Sequence, residues 1–167
     1  MMEFDVKVNF KDMYRFNLYQ AYTSSEGWLG FLMAAVAFVA AKLTYGTVGK
    51  EYTTIYILFG VALLFYVPVT LMIRVKGTLA SNRVLRGTLH YRFDEKGLTV
   101  SQDGDVGELP WVKIYKLVAT KHNVLVYNSR ITAYVIPREQ LTEEQFKELK
   151  KIIYKNLPGF RVTMKRS

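Results

Sequence analysis

Residues 52–73 read YTTIYILFGVALLFYVPVTLMI, 22 positions without a charged side chain, closed by Arg74. Coiled at 1.5 Å per residue the stretch is about 33 Å long, against the ~30 Å hydrocarbon core of a bilayer. Core helices of soluble domains are shorter and usually keep one polar edge. The stretch therefore reads as a transmembrane helix. Outward from it, Gly27–Ala41 is a second charge-free run, of 15 residues, and it lengthens to about 19 residues once Lys42 snorkels. Its small residues Gly27, Gly30, Ala34, Ala37 and Ala41 fall on one helix face, a surface that permits close helix packing in lipid. The short linker Thr44–Glu51, with Gly46 and Gly49, makes the two runs a hairpin. Pro68 is expected to kink the second helix, as prolines in membrane helices do.

Charge fixes the expected orientation. The formal net charge is +9, and all of the excess follows the second apolar run, where 18 basic residues face 9 acidic ones. In a soluble protein such a balance would suggest nucleic acid. Beside a membrane segment, anionic headgroups and the positive-inside rule account for it, so no nucleic-acid partner is expected. Lys7, Lys11 and Arg15 precede the hairpin, and Arg74, Lys76, Arg83 and Arg86 follow it. The linker offers only Lys50, beside Glu51. Both termini are thus expected in the cytoplasm, on a multi-pass protein of the cell membrane. Cysteine is absent, which excludes disulfides, thiol catalysis and thiolate metal sites. Mean hydropathy is only +0.06, so the chain is no polytopic transporter.

The remainder reads as a small α+β domain. Phe4, Val6, Val8 and Phe10 alternate with Asp5, Lys7 and Asn9, a period of two that predicts a half-buried strand and not the basic start of a signal peptide. Lys11–Tyr22 changes to helical spacing, with Asp12 as the expected N-cap. Its aromatics suit a helix lying in the membrane interface, with packing against the soluble domain as the alternative. Residues 74–86 are basic with little periodicity. Strands are then predicted at Leu89–Phe93, Leu98–Gln102, Gly107–Trp111, Ile114–Thr120, Val124–Asn128 and Ile131–Ile136, separated by turn residues such as Asp103-Gly104. Thr142-Glu143-Glu144-Gln145 is a capping box, and Phe146, Leu149, Ile152, Ile153 and Leu157 form the apolar stripe of a helix that Pro158-Gly159 stops. Phe160–Met164 is a further short strand. The fold class is an α+β membrane protein: a two-helix transmembrane hairpin plus a small antiparallel sheet domain with one C-terminal helix. The expected divisions are 1–26, strand and amphipathic helix; 27–73, the hairpin, with spans at 27–45 and 52–73; 74–88, a basic juxtamembrane segment; and 89–167, the β-rich domain.

These pieces resemble the YcxB-like family of small bacterial membrane proteins. The resemblance rests on the N-terminal strand with Asp12-Met13-Tyr14-Arg15-Phe16-Asn17, and on Leu89-His90-Tyr91-Arg92-Phe93, Gly97-Leu98, Leu109-Pro110-Trp111, Ile114-Tyr115-Lys116 and Ala133-Tyr134-Val135-Ile136-Pro137. It spans nearly the whole chain and implies a hairpin carrying a domain similar to pleckstrin-homology (PH)-like folds. None of these motifs is catalytic, and the resemblance implies no activity.

Candidate chemistry is sparse. His90 and His122 are the only histidines and lack partners at ligand spacing. Asp94-Glu95, Asp103 and Asp105 belong to turns, Ser101 and Ser129 have no base in a recognisable motif, and no glycine loop carries a phosphate signature. No metal or cofactor is expected, and the chain is not expected to be an enzyme. Trp111 reads as a core anchor. Lys113, Lys116, Lys121 and Arg130 lie in or between adjacent predicted strands. With Arg74, Lys76, Arg83 and Arg86 they form the candidate patch for anionic lipid or a partner; a solvated face is the bland alternative. The expected function is a non-enzymatic, membrane-anchored binding or scaffold module whose cytoplasmic PH-like domain engages anionic lipid headgroups or a protein partner, with the hairpin as a surface for self-association. The alternative is an accessory or regulatory subunit of a membrane transporter or signalling complex.

Overall fold

The computed structural model describes residues 1–23, 25–82, 85 and 87–164. It divides into two compact units, residues 1–16 with 78–167, and residues 17–77. Among the described residues the architecture is α+β, with four helices and two sheets.

The helical unit holds the end of α1 (Phe10–Thr23), α2 (Ser25–Thr44) and most of α3 (Lys50–Ser81). Ala34, Ala37 and Ala41 are buried, as the small-residue spacing requires. Three contacts fix the antiparallel register of α2 and α3. The Thr44 and Thr53 hydroxyls are hydrogen-bonded at 3.2 Å, the Phe38 ring covers Gly60, and Val67 reaches Gly30. A Cβ on Gly60 would stand 2.9 Å from that ring, so the glycine admits the aromatic. The connection turns at Gly46, whose φ of +78° is the left-handed conformation that commonly ends a helix. One expectation about α3 is revised. Arg74 closes the apolar stretch but not the helix, which continues to Ser81, so the basic segment begins as helix. Pro68 sits inside that helix without ending it. Among the described residues α3 is the one helix long and apolar enough by itself to cross a membrane, with mean hydropathy 2.3. A second candidate arises only if Phe10–Thr23 and Trp28–Thr44 count as one broken span.

The described residues of the sheet unit form eight strands. β1 (Met2–Val6), β2 (Leu89–Phe93), β3 (Gly97–Gln102) and β4 (Asp105–Pro110) form an antiparallel meander. β5 (Lys116–Ala119), β6 (Asn123–Tyr127) and β7 (Ala133–Pro137) form a second. β8 (Val162–Met164) joins its edge in parallel with β5. That parallel pair departs from the purely antiparallel expectation. Between β5 and β8 the chain passes through α4 (Glu143–Asn156), and a parallel return needs such a crossover.

β1 is the strand that the alternation predicts, and it pairs with β2 from Met2↔Phe93 to Val6↔Leu89. It is shorter than expected, because Asn9 and Asp12 start the helix early. The Asn9 side chain accepts from the Asp12 N–H at 3.1 Å, and the Asp12 carboxylate accepts from the Asn9 N–H at 3.0 Å. Asn9 is therefore the cap and Asp12 the third helical residue of a reciprocal box; Phe10 lies in the helix, not the strand. The box at Thr142 and Gln145 forms as read. Asp103 and Gly104 both take positive φ, 50° and 94°, the two-residue hairpin turn their sequence favours.

The inner faces of the two sheets meet in the core. Phe4 stacks on Tyr91 and Phe93, and Tyr91 meets Tyr134 of the second sheet edge-on at 6.4 Å. Leu149 and Ile153 of α4 are fully buried, and α4 packs against β1. Trp111 is buried and donates its Nε1–H to the Asp94 carbonyl at 2.9 Å. The outer face of the second sheet is covered too. Asn123 Nδ2 donates to the Asp12 carbonyl, and Phe16 packs on Tyr127. The first turns of α1 thus lie along β6, every residue of which is buried. Of the two settings weighed for this helix, its first half takes packing on the sheet.

Candidate functional site

One end of the second sheet gathers cations and exposed apolar side chains. β5 enters at Lys116, directly opposite Tyr127, and the Lys116 ammonium lies 4.5 Å from the centre of the Tyr127 ring. Before it, Trp111–Lys113 makes a single 3-10 turn, which leaves Val112 82% exposed and Lys113 exposed. Behind α4 a second such turn, Gly159–Arg161, presents Phe160 at 85% exposure. Arg161 ties the two turns together, its Nη1 donating to the Ile114 carbonyl at 3.2 Å and the Val112 carbonyl at 3.5 Å. Between them runs a groove of about 520 Å³ lined by Val112, Lys113, Tyr115, Lys116, Asn128 and Phe160 among others. The β6–β7 turn adds Arg130 and Ile131, both exposed.

The sequence candidates separate accordingly. Lys113, Lys116 and Arg130 come to this end. Lys121 does not: it lies in the turn after β5, at the opposite end of the strand, on the order of 13 Å away at 3.3 Å per residue. Arg74 and Lys76 are exposed on α3 in the other unit. Arg83 and Arg86 lie outside the described residues. Arg161 and Phe160 were read only as part of a last strand. Their signal was a Phe-Arg pair just past the Pro158-Gly159 stop.

Two further clusters became visible only through pairing. On the outer face of the first sheet His90 meets Asp5 at 2.7 Å through Nδ1 and Glu3 at 3.7 Å through Nε2. The ring nitrogens face different carboxylates, so the group cross-links strands rather than converging on a point. Among the described residues no group of three or more His, Asp or Glu could hold a metal ion.

Beneath α1, Asp12 and Asn123 are buried, and Oδ1 of each is without a hydrogen-bond partner. Burial holds the Asp12 carboxyl above its ordinary range of 3.8; the Asn9 N–H opposes the shift, Glu139 adds to it, and Arg15 and His122 oppose it. Between pH 3.8 and that raised value the native state binds more protons than the unfolded chain, so this group's contribution weakens as pH rises. Asp12→Asn should therefore raise the melting temperature at neutral pH, and the gain should vanish below pH 3.8, where both forms are uncharged. Thermal unfolding of the two proteins across pH checks this; an equal or lower Tm of the variant at neutral pH would refute it.

A two-meander sheet unit closed by a C-terminal helix, and interrupted after its first strand by a helical pair, defines the class. Residues 93–153 match the family model described as YcxB-like protein, and through that segment the chain resembles the YcxB-like family. The match runs from the end of β2 into α4 and leaves β1 and the helical pair outside. No curated protein and no solved structure matches the chain.

Proposed function

We propose that this protein is a non-enzymatic membrane-anchored binding and scaffold module. α2 and α3 cross the bilayer as a hairpin, and the sheet unit works on the cytoplasmic face. The observation that carries the reading is the surface of α3. Only 6% of its most apolar window is buried, and Ile55, Leu58, Phe65 and Ile73 are exposed at about 60%. A core helix of a soluble domain would be covered, whereas lipid suits this surface. α2, with 20 residues, is about 30 Å long and matches the hydrocarbon core. Trp28, Tyr45 and Tyr52 near the helix ends are exposed, as interfacial aromatics are. The basic flanks favour the cytoplasm for residues 1–16 and 78–167.

The meander of four strands, the meander of three and the closing helix support the PH-like reading of the sheet unit. Such a unit offers surfaces for lipid headgroups or a protein partner, and the cationic end described above is the candidate surface. On the small-residue face of α2, Ala34, Ala37 and Ala41 are buried, which leaves the apolar side chains of α3 as the surface that lipid or a membrane partner would meet.

Because the chain has no cysteine, single cysteines report topology cleanly. Gly46 needs its positive φ, so the neighbouring Tyr45 carries the label for the connection. In intact cells Tyr45→Cys should react with an impermeant thiol reagent and Ser81→Cys should not, and the chain should stay in the membrane through alkaline extraction. The reverse labelling would sink the orientation, and release by alkali would sink the anchor. Purification in mild detergent then tests the role: a homo-oligomer with bound anionic lipid supports it, and a stoichiometric large membrane protein overturns it in favour of an accessory subunit.

A further inference from the structure

We infer that the Lys116 end of the second sheet docks on the anionic surface of the bilayer, with Val112 and Phe160 entering the headgroup boundary and Lys113, Lys116 and Arg161 holding lipid phosphate at the groove between them. The inference rests on the membrane reading above and names the partner of the sheet unit. Three observations carry it.

The first is the pairing of charge with exposed apolar surface. The segments 111–116, 128–132 and 159–164 contain Lys113, Lys116, Arg130 and Arg161 and no acidic residue. The same segments expose Val112 at 82%, Phe160 at 85% and Ile131 at 71%. A basic rim around protruding apolar side chains suits the headgroup boundary of an anionic leaflet, where both gain. A solvated face would have no use for the apolar members.

The second is rigidity. Val112 and Phe160 sit on separate turns, and the Arg161 guanidinium bonds the carbonyls of Val112 and Ile114 while lying 5.7 Å from the Phe160 ring. The groove is thereby held open, which lowers the ordering cost of taking up a headgroup. The third is where the chain leaves the unit. α1 passes from Asp12 at Asn123 to Phe16 at Tyr127, and Tyr127 is the residue against which Lys116 packs. Phe16, the last residue of this unit before the helical pair, therefore lies at the end of the sheet that carries the cationic rim.

The full chain, reconstituted in nanodiscs, provides the test. Single cysteines at Phe160 or Val112 carry a polarity-sensitive fluorophore, and the lipids carry a headgroup-depth quencher. In phosphatidylglycerol-rich discs either label should shift to the blue and be quenched; in phosphatidylcholine discs both should read as solvent-exposed. At about 1 kcal/mol per basic residue near an anionic surface, Lys113→Gln should weaken docking about fivefold. Lys121→Gln removes the same charge at the far end of β5 and should change it little. A label at Ile57 on α3 reports the anchor: quenching of Ile57 without quenching at Phe160 or Val112 in anionic discs overturns the docking and leaves the hairpin standing. An unquenched Ile57 overturns the membrane reading itself. Equal loss from Lys113→Gln and Lys121→Gln overturns a localised site in favour of diffuse attraction. Quenching in both disc types overturns the selectivity for an anionic surface.

Discussion

Removal of residues 1–8 is expected to abolish cooperative unfolding of the sheet unit. β1 brings Met2, Phe4 and Val6 into the core, all buried. Burial of such side chains stabilises by about 2 kcal/mol each, or about 6 kcal/mol together, against a total of about 5–15 kcal/mol for a typical domain. The loss extends beyond β1. Tyr91 and Phe93 lose the ring of Phe4, α4 loses the strand it packs on, and β2 becomes an unprotected edge. Urea titration followed by circular dichroism, with limited proteolysis alongside, should show a broad or absent transition and rapid cleavage between residues 89 and 157. A sharp transition at the full-length midpoint would refute the assignment.

The second large effect is expected at Gly97, where β3 begins opposite Pro110 of β4. A Cβ there would collide with the Leu109 carbonyl oxygen and stand 2.7 Å from the Pro110 Cα. Both obstacles are backbone, so no side chain can swing aside and the two strands must separate at the place where Trp111 is anchored. Gly97→Ala should cost about 3 kcal/mol, at the upper end for overpacking. Gly104→Ala is the control. Its φ is +94° with nothing within 4 Å of the added carbon, so only backbone strain of about 1 kcal/mol is expected. The urea midpoints should fall in that order, and equal midpoints would argue against the close approach at Gly97.

The legible parts of this fold were those fixed by near neighbours in sequence. The Thr142 box, the Asp103-Gly104 turn, the charge-free run at 52–73 and the alternation from Phe4 to Val6 each state their local structure in a few residues. What escaped was set by partners far away. His90 gains Asp5 across 85 positions, and nothing near His90 announces it. Asp12 reads as a cap because Asp favours that position, but Asn9 stands three residues earlier and completes a box with it. The cationic site was half legible. Lys113, Lys116 and Arg130 were singled out with Lys121, because spacing alone cannot tell at which end of a strand a turn residue falls. Arg161 was missed because its place beside Ile114 depends on the parallel return of β8 to β5.

The insertion of both apolar helices between β1 and β2 has a consequence for how the protein is made. β1 leaves the ribosome more than 80 residues before the strand it must meet. Closing a flexible loop of that size costs about 4 kcal/mol in chain entropy, and a helical hairpin that brings its own ends together lowers the figure. On the membrane reading, the Val6↔Leu89 ladder forms only when both flanks of the hairpin have been left on the same side. A chain translocated with one flank across the bilayer keeps Phe4 on one side and Tyr91 and Phe93 on the other, each bare to proteases. On that reading the first sheet would serve as a proofreader of membrane insertion, since only a correctly threaded chain could complete it.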